Sequence, residues 1–489
     1  MPKLIGSSVP RKEGPDKVTG RARYIDDVRM DGMLYGVTVR SPEPRGRIRG
    51  ITFAPGVPWD EIVVVRAADI NGANHVALLT DDQPYLAATH VNHAEEPILL
   101  LAHAEHDVAQ RARTLVKIAV EPLPAVFDMD ASSKCDPIIW GKDNVFKEYH
   151  LTKGDTDAAF ARADIRIIEG SYSTGAQEQL YIENNGVIAV ADHTQVTIWG
   201  SLQCPYYVHK ALLALFNLPP DKIRVVQCET GGGFGGKEEY PSMLSGHAAL
   251  LARKSGRPVK MVYDRAEDMV ATTKRHPSRT KHRTAVTKDG EIVAMDIVFE
   301  IDGGAYNTLS PVVLSRGTIH ASGPYKCDNV RITARALATN TPPHGAFRGF
   351  GAPQSIFALE RHMNKVAHAV DLTPAALRLK NFVKTGDTTA THQVMREPIN
   401  MPGLLSRGLT EADYDAKKVR FALENRTSHV KRGIGFATFF HGSGFTGSGE
   451  AYLASVVGAR GLKDGRIEIL AASTEIGQGT NTIFTQIAA

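Results

Sequence analysis

Apolar positions along the chain fall into short runs with two different periods. Leu34 to Val39 and Ile98 to Leu101 have the length and composition of strands. Ala104 to Leu115 has helical spacing. Leu115 to Val120 then reads as a strand that Pro122 and Pro124 end. These elements describe an α+β module over residues 1–127. A stretch containing Gly, Pro and Asp, residues 128–155, reads as a linker. Beyond it, Val208 to Phe216 reads as a helix closed by Pro219 and Pro220. Ile223 to Gln227 reads as a strand, Met243 to Ala252 as a helix, and Pro258 to Tyr263 as another strand. Ile356, Leu359, Met363 and Val366 place one apolar face on a helix from Ser355 to Val370. Basic and acidic residues alternate around 411–432, which reads as a solvated connector. A strand at Arg466 to Leu470, a loop, and the opening of a helix at Ile483 complete the pattern. The expected organisation is one unit over 156–400 and a further unit that starts at 401 and is still unfinished at 489.

Charge adds little to this picture. The 489 residues carry 57 Lys and Arg against 53 Asp and Glu, a net +4 spread along the chain. Neither a nucleic acid nor a membrane surface is expected as a partner. The opening residues lack the apolar core of a signal peptide, and no run of about 18 apolar residues occurs. The expected location is the cytoplasm. Cys135, Cys204, Cys228 and Cys327 are far apart, with no C-x-x-C pair. Iron–sulfur clusters and structural zinc need thiolates at close spacing, so neither is expected on this chain. There is no H-E-x-x-H motif, and no residue is assigned as a direct metal ligand.

Glycine changes the picture most. The run Gly-Gly-Gly-Phe-Gly-Gly-Lys-Glu (231–238) lies between an expected strand and an expected helix. Without side chains, backbone N–H groups can approach an anionic ligand closely. Gly231, Gly233 and Gly236 also satisfy G-x-G-x-x-G, with Asp264 as a candidate ribose-binding acid, so a dinucleotide site stays open, as does a plain turn. A second loop, residues 345–354, sets Arg348 between glycines, where its planar fork could reach an oxyanion or pair with a core carboxylate. Phe350 offers a ring to a flat ligand. In a third loop, residues 475–482, the Gln478 amide can donate and accept at once, or the loop is a capped helix start. Gly175 to Glu178, ahead of Tyr181-Ile182-Glu183, says little by itself.

Taken in order, these segments resemble one family. The run at 231–238, Ala-Phe-Arg-Gly-Phe-Gly-x-Pro-Gln (346–354) and Gly-Gln-Gly (477–479) are similar to the pterin-cradling segments of the xanthine dehydrogenase, or molybdenum hydroxylase, family. Lys-Val-Thr-Gly-Arg-Ala-Arg-Tyr (17–24) and Glu-Pro-Leu-Pro-Ala-Val (121–126) resemble its amino-terminal hammerhead domain. Asp264-Arg265, Glu267-Asp268-Met269 and Arg275-His276-Pro277 resemble its cofactor domain. The likeness runs from about residue 8 to the last residue. Ser41-Pro42-Glu43-Pro44-Arg45 departs from a family motif that usually carries His.

The resemblance implies an α/β-hammerhead domain followed by a molybdenum-cofactor-binding α+β domain whose second half is incomplete. It implies cofactor contacts at Gln177, Gly233, Phe234, Gly235, Arg348, Gly477 and Gln478. Gln177 would bond a metal oxo group, Phe234 would act through its backbone, Arg348 would meet the metal side, and Gln478 the pterin. It implies substrate contacts at Glu238, Arg316, Phe350, Phe445 and Thr446, with a purine between two rings. The cofactor would be molybdopterin, possibly in its cytosine dinucleotide form. The family chemistry is base-assisted attack by a metal-bound hydroxyl on an electron-poor carbon. The general-base Glu is expected beyond residue 489, so no catalytic residue is assigned on this chain. Expected partners are an iron–sulfur subunit and an FAD-binding subunit; a second molybdopterin polypeptide that supplies the base, a truncated product of the same enzyme, and a pterin-fold scaffold without turnover all stay open. Purines lead as substrates, followed by nicotinate and aldehydes.

Overall fold

The computed structural model describes residues 4–442 and 455–489. Its first sheet has seven strands, in the order Ile223–Gln227, Val196–Gly200, Gly186–Ala191, Val259–Val262, Leu34–Arg40, Pro97–His103 and Val63–Arg66. Three strands come from the amino-terminal module and four from the segment after residue 155. The two groups meet where Leu34 and Tyr35 pair in parallel with Val259 and Lys260. Every residue of Pro97–His103 is buried, as a strand covered on both faces requires. The helices Pro205–Phe216 and Tyr240–Ser255 contribute Val208, Leu212, Leu244 and Leu251 to the largest core. Residues 240–252 are all buried, so this stretch of the helix has no solvent-exposed face. Gly246 is required within it: a Cβ there would lie 2.1 Å from the Tyr85 ring.

The second sheet has five strands, ordered Val145–Lys153, Asn329–Ala338, Ile292–Gly304, Ser278–Thr287 and Ile165–Thr174. Helix Ala352–Ala369 packs against it and buries Leu359, Met363 and Val366. Gly46–Phe53, flanked by His90–Val91 and Val116–Pro122, makes a smaller sheet in the amino-terminal module. Helix His106–Leu115 and strand Val116–Pro122 match the expected order.

Two expectations need correction. The linker read over 128–155 contains the nine-residue strand Val145–Lys153, paired antiparallel with Asn329–Ala338. Its alternation is blurred because Tyr149 and His150 interrupt the apolar positions. The charged connector around 411–432 is mostly helical, as Met401–Glu411 and Tyr414–Glu424. Its charges are spaced for ion pairs one turn apart, Arg407 to Glu411 and Arg420 to Glu424. The solvent exposure was legible there and the helical period was not.

Residues 434–442 return to the main body through a buried ion pair. The Arg378 guanidinium forks onto Glu360 at 2.9 and 3.1 Å, and the same carboxylate accepts the Thr438 N–H at 2.7 Å. The last described elements are the antiparallel pair Gly458–Gly461 and Ile467–Leu470, followed by helix Thr480–Ala488, which buries none of its residues. Among the described residues, no helix is long and apolar enough to cross a membrane.

Candidate functional site

The glycine run turns directly over the end of strand Ile223–Gln227, and two carboxylates set its shape. Glu183 Oε2 accepts the Gly231 N–H at 2.7 Å, Ser201 Oγ at 2.5 Å and Lys237 Nζ at 3.0 Å. The Lys237 side chain is fully buried and lies over the Tyr181 ring. Burial pulls its pKa down, and the facing Glu183 works against that. Breaking a buried pair leaves one charge without compensation, at a cost of about 3–5 kcal/mol. Lys237→Met should therefore lower unfolding stability by about that amount in urea titrations. A loss below about 1 kcal/mol would mean the pair is replaceable. Glu239, which is buried, accepts the Ala346 N–H at 3.0 Å and so ties the second loop to the first.

The two loops touch through their backbones. The Arg348 N–H donates to Phe234 O at 2.8 Å. Gly235 has φ +103, and a Cβ there would sit 2.7 Å from the Ala346 carbonyl. Phe234 and Phe350 both adopt left-handed backbone, at φ +52 and +49, which is uncommon for bulky residues. The third loop closes on the others through the Thr474 hydroxyl, which donates to Gln203 O at 2.7 Å, and through Gln227, which donates to Glu475 O at 3.0 Å. Gln203 Oε1 in turn accepts the Gly235 N–H at 2.9 Å.

The result is a cavity of about 740 Å³ shared by all three loops. Phe234, Gly235 and Glu238 line it from the first loop, Arg348 and Phe350 from the second, and Gly477 and Gln478 from the third. Arg316 enters from helix Ser310–His320 with its guanidinium 5.4 Å from the centre of the Phe350 ring. Burial pushes the Glu238 carboxyl up to about 8, the neighbouring Glu239 adds to the rise, and Arg316 restrains it. The shift favours the neutral form of the Glu238 carboxyl beside the Arg316 cation.

Two expected residues stand apart from this lining. Gln177 is exposed, and its Oε1 accepts from Arg275 Nε at 2.7 Å, while Arg275 also donates to Arg348 O at 3.0 Å. It therefore reaches the site through Arg275, which stacks on the Phe347 ring at 3.9 Å. Gly233 makes room for Gln203, whose Oε1 would lie 2.3 Å from a Cβ there. The Gln478 amide is turned onto its own loop, donating to Thr474 O and Thr480 Oγ1 and accepting from the Ile476 N–H. Phe445 and Thr446 lie outside the described residues. Asp264 caps helix Arg265–Ala271 by accepting the Glu267 N–H, which removes the ribose-binding acid from the dinucleotide alternative. Sequence reasoning did not reach Glu183, Gln203, Glu239 or Arg275. Each bonds a partner 32 or more residues away, and only Glu183 and Arg275 sat inside quoted segments, neither with a role.

Comparison with known proteins is decisive at this point. Models of the molybdopterin cofactor-binding domain match residues 140–382 and 407–489, and the aldehyde oxidase and xanthine dehydrogenase a/b hammerhead domain matches 19–124. The large molybdopterin subunit of nicotinate dehydrogenase from Eubacterium barkeri is 33% identical over 84% of this chain and 96% of its own length. The chain belongs to the molybdopterin-binding xanthine dehydrogenase family. A probable xanthine dehydrogenase subunit of Bacillus subtilis is 30% identical over 98% of this chain and 63% of that one. Quinoline 2-oxidoreductase from Pseudomonas putida superposes with a TM-score of 0.89 at 26% identity, covering the whole of this chain and 65% of that one. The chain thus spans under two thirds of these last two. In this family the hammerhead module precedes the cofactor domain, and that is the order observed. The cofactor of the family is molybdopterin, and its members are molybdenum-containing oxidoreductases.

Proposed function

We propose that this chain is the cofactor-binding subunit of a molybdenum hydroxylase that oxidises a C–H bond of an electron-poor N-heterocycle, a purine first. The reading is carried by the convergence of three glycine loops on the one cavity that also receives Glu238, Arg316 and Phe350. The chemistry of its walls suits molybdopterin. Among the described residues they offer two amides, two guanidinium groups and one carboxyl, and no thiolate or imidazole. That donor set suits a planar anionic group better than a bare metal ion. A Cβ at Gly477 would meet no protein atom within 4 Å, so open space lies beside this glycine.

When bound, the cofactor would supply a two-electron oxidation with oxygen taken from water. Phe234, Gly235 and Arg348 would hold its metal side, with Gln177 positioned through Arg275. Gly477 and Gln478 would hold the pterin, Gln478 giving up its bonds to Thr474 and Thr480. Phe350 would lie against the substrate ring, and Arg316 and Glu238 would hold its polar edge. Electrons would leave through iron–sulfur and FAD chains. A further molybdopterin polypeptide would complete the cofactor site, a reading supported by the Eubacterium barkeri relative, which is named a large molybdopterin subunit. The seat of that polypeptide would be residues 455–489, where Val456, Ile467, Leu470, Ile483 and Ile487 are exposed.

A second reading is nicotinate. It is favoured by the Eubacterium barkeri relative and by Arg316, which could pair with a ring carboxylate. Dye reduction by the purified complex with xanthine, hypoxanthine, nicotinate and aliphatic aldehydes separates the cases. The highest kcat/KM is expected with a purine. Turnover of aldehydes alone would overturn both heterocycle readings.

The Glu238 carboxyl gives a pH signature. Its raised pKa keeps it protonated, and able to donate to a ring nitrogen or carbonyl, until pH passes about 8. Above that, substrate affinity should fall by about tenfold per pH unit. Glu238→Gln keeps a donor at every pH, so its profile should be flat over the same range. A wild-type affinity that is level from pH 7 to pH 10 would show that the carboxyl does not donate to substrate.

A further inference from the structure

We propose that Arg11 is a positioning residue for the Gly477–Gln478 loop, acting through Glu475 from the far end of the chain. Glu475 is buried, and its carboxylate accepts the N–H groups of Gly477 at 2.8 Å, Gly479 at 3.1 Å and Asn481 at 3.1 Å. The loop is folded around this anion, as successive backbone N–H groups in a concave turn allow. Gly477 and Gly479 take φ +116 and +95 to present their amides inward. Burial opposes the charge on Glu475, and the three N–H groups together with Arg11 outweigh it and hold the pKa down.

Arg11 supplies the countercharge. Its guanidinium lies 3.1 Å from Glu475 Oε1 and donates to Gly477 O at 2.9 Å, so one side chain holds both flanks of Ile476. It also lies 3.1 Å from Glu13, which Lys17 approaches at 3.9 Å, and Lys17 continues to Glu229 at 3.3 Å. Glu229 stands two residues before the first glycine run. An alternating row of charges therefore joins the first loop to the third. Residues 4–12 then follow the exposed helix. The Lys12 N–H donates to Thr482 Oγ1 at 2.9 Å, and Gln486 donates to the carbonyls of Leu4 and Ser7. Because that helix buries none of its residues, these polar contacts carry much of what fixes the loop.

The proposal rests on the reading of the cavity as the pterin site, and the test keeps the two apart. Amide exchange is followed by mass spectrometry in the purified complex of wild type, Arg11→Ala and Arg11→Lys, and pterin release is timed in the same samples. In Arg11→Ala the amides of residues 477–482 should exchange about tenfold faster, with strand Ser278–Thr287 unchanged. Pterin should leave at least about threefold faster. Arg11→Lys keeps the charge and loses the fork, so it should fall between the two. Exchange at 477–482 within about twofold of wild type in Arg11→Ala would overturn the proposal. So would an equal rise in the strand, which would mean a general loss of stability. A wild type free of pterin would sink the cofactor reading, while exchange would still decide whether Arg11 holds the loop.

Discussion

Gly235→Ala is expected to leave the chain folded and to empty it of pterin. At φ +103 an L side chain is strained by about 1–3 kcal/mol before any contact is considered. The added Cβ would then lie 2.7 Å from both carbon and oxygen of the Ala346 carbonyl and 2.8 Å from Phe347 Cα. All three are backbone atoms, so no rotamer change relieves the clash. The first and second loops must separate, and the bond from the Arg348 N–H to Phe234 O breaks. The seven-stranded sheet lies behind the loop and is not involved, so circular dichroism should be preserved. Pterin and molybdenum per chain should drop below about a tenth of wild type. Gly50→Ala is the control, since a Cβ there meets nothing within 4 Å and its φ is ordinary. Near-normal pterin in Gly235→Ala would mean that the close approach of the two loops does not shape the cofactor site.

Arg316→Met should have the next largest effect. Methionine keeps most of the volume beside the Phe350 ring and removes the cation. A lost charge-assisted hydrogen bond is worth about 1.5–3 kcal/mol, or roughly ten- to a hundredfold in kcat/KM. Arg316 also restrains the pKa of Glu238, so its removal lets that carboxyl rise further above about 8. The alkaline limb of the affinity profile should move to higher pH while the plateau falls. The moved limb reports the coupling of Arg316 to Glu238, and the lowered plateau reports the lost contact with substrate. A kcat/KM within about threefold of wild type, with an unmoved limb, would remove Arg316 from the site.

Much of this site could be read from the chain because its loops pack backbone against backbone. A Cβ at Gly235 would lie 2.7 Å from the Ala346 carbonyl, so the close approach is written in glycine, and glycine runs are visible without a structure. The loops around Phe234, Arg348 and Gln478 do meet at one cavity, and Glu238, Arg316 and Phe350 line it. What stayed hidden is the polar scaffold behind the glycines. Glu183 holds Gly231 across 48 residues, and Glu239 holds Ala346 across 107. Neither carboxylate has a local pattern that marks it as a partner of a distant loop. Gln177 shows the opposite case: the resemblance implies a direct contact, and its side chain is held by Arg275 at the edge of the site.

The fold divides along similar lines. Strands buried on both faces, such as Pro97–His103, are continuous apolar runs and were legible. The sharing of one sheet between residues 34–103 and 186–262 was not. A parallel pairing of two residues, Leu34 and Tyr35 against Val259 and Lys260, joins the two groups and leaves no mark on either strand. The expected break near residue 127 follows the order of modules along the chain, while the sheet crosses it.

The most direct test of the central claim is the molybdenum and pterin content of the protein purified with its associated chains, by elemental analysis and by fluorescence of the oxidised pterin. The account predicts about one molybdenum and one pterin for each copy of this chain, as a single site formed by three loops requires. Protein free of both, with a nicotinamide dinucleotide bound tightly at the same glycine loops, would contradict it.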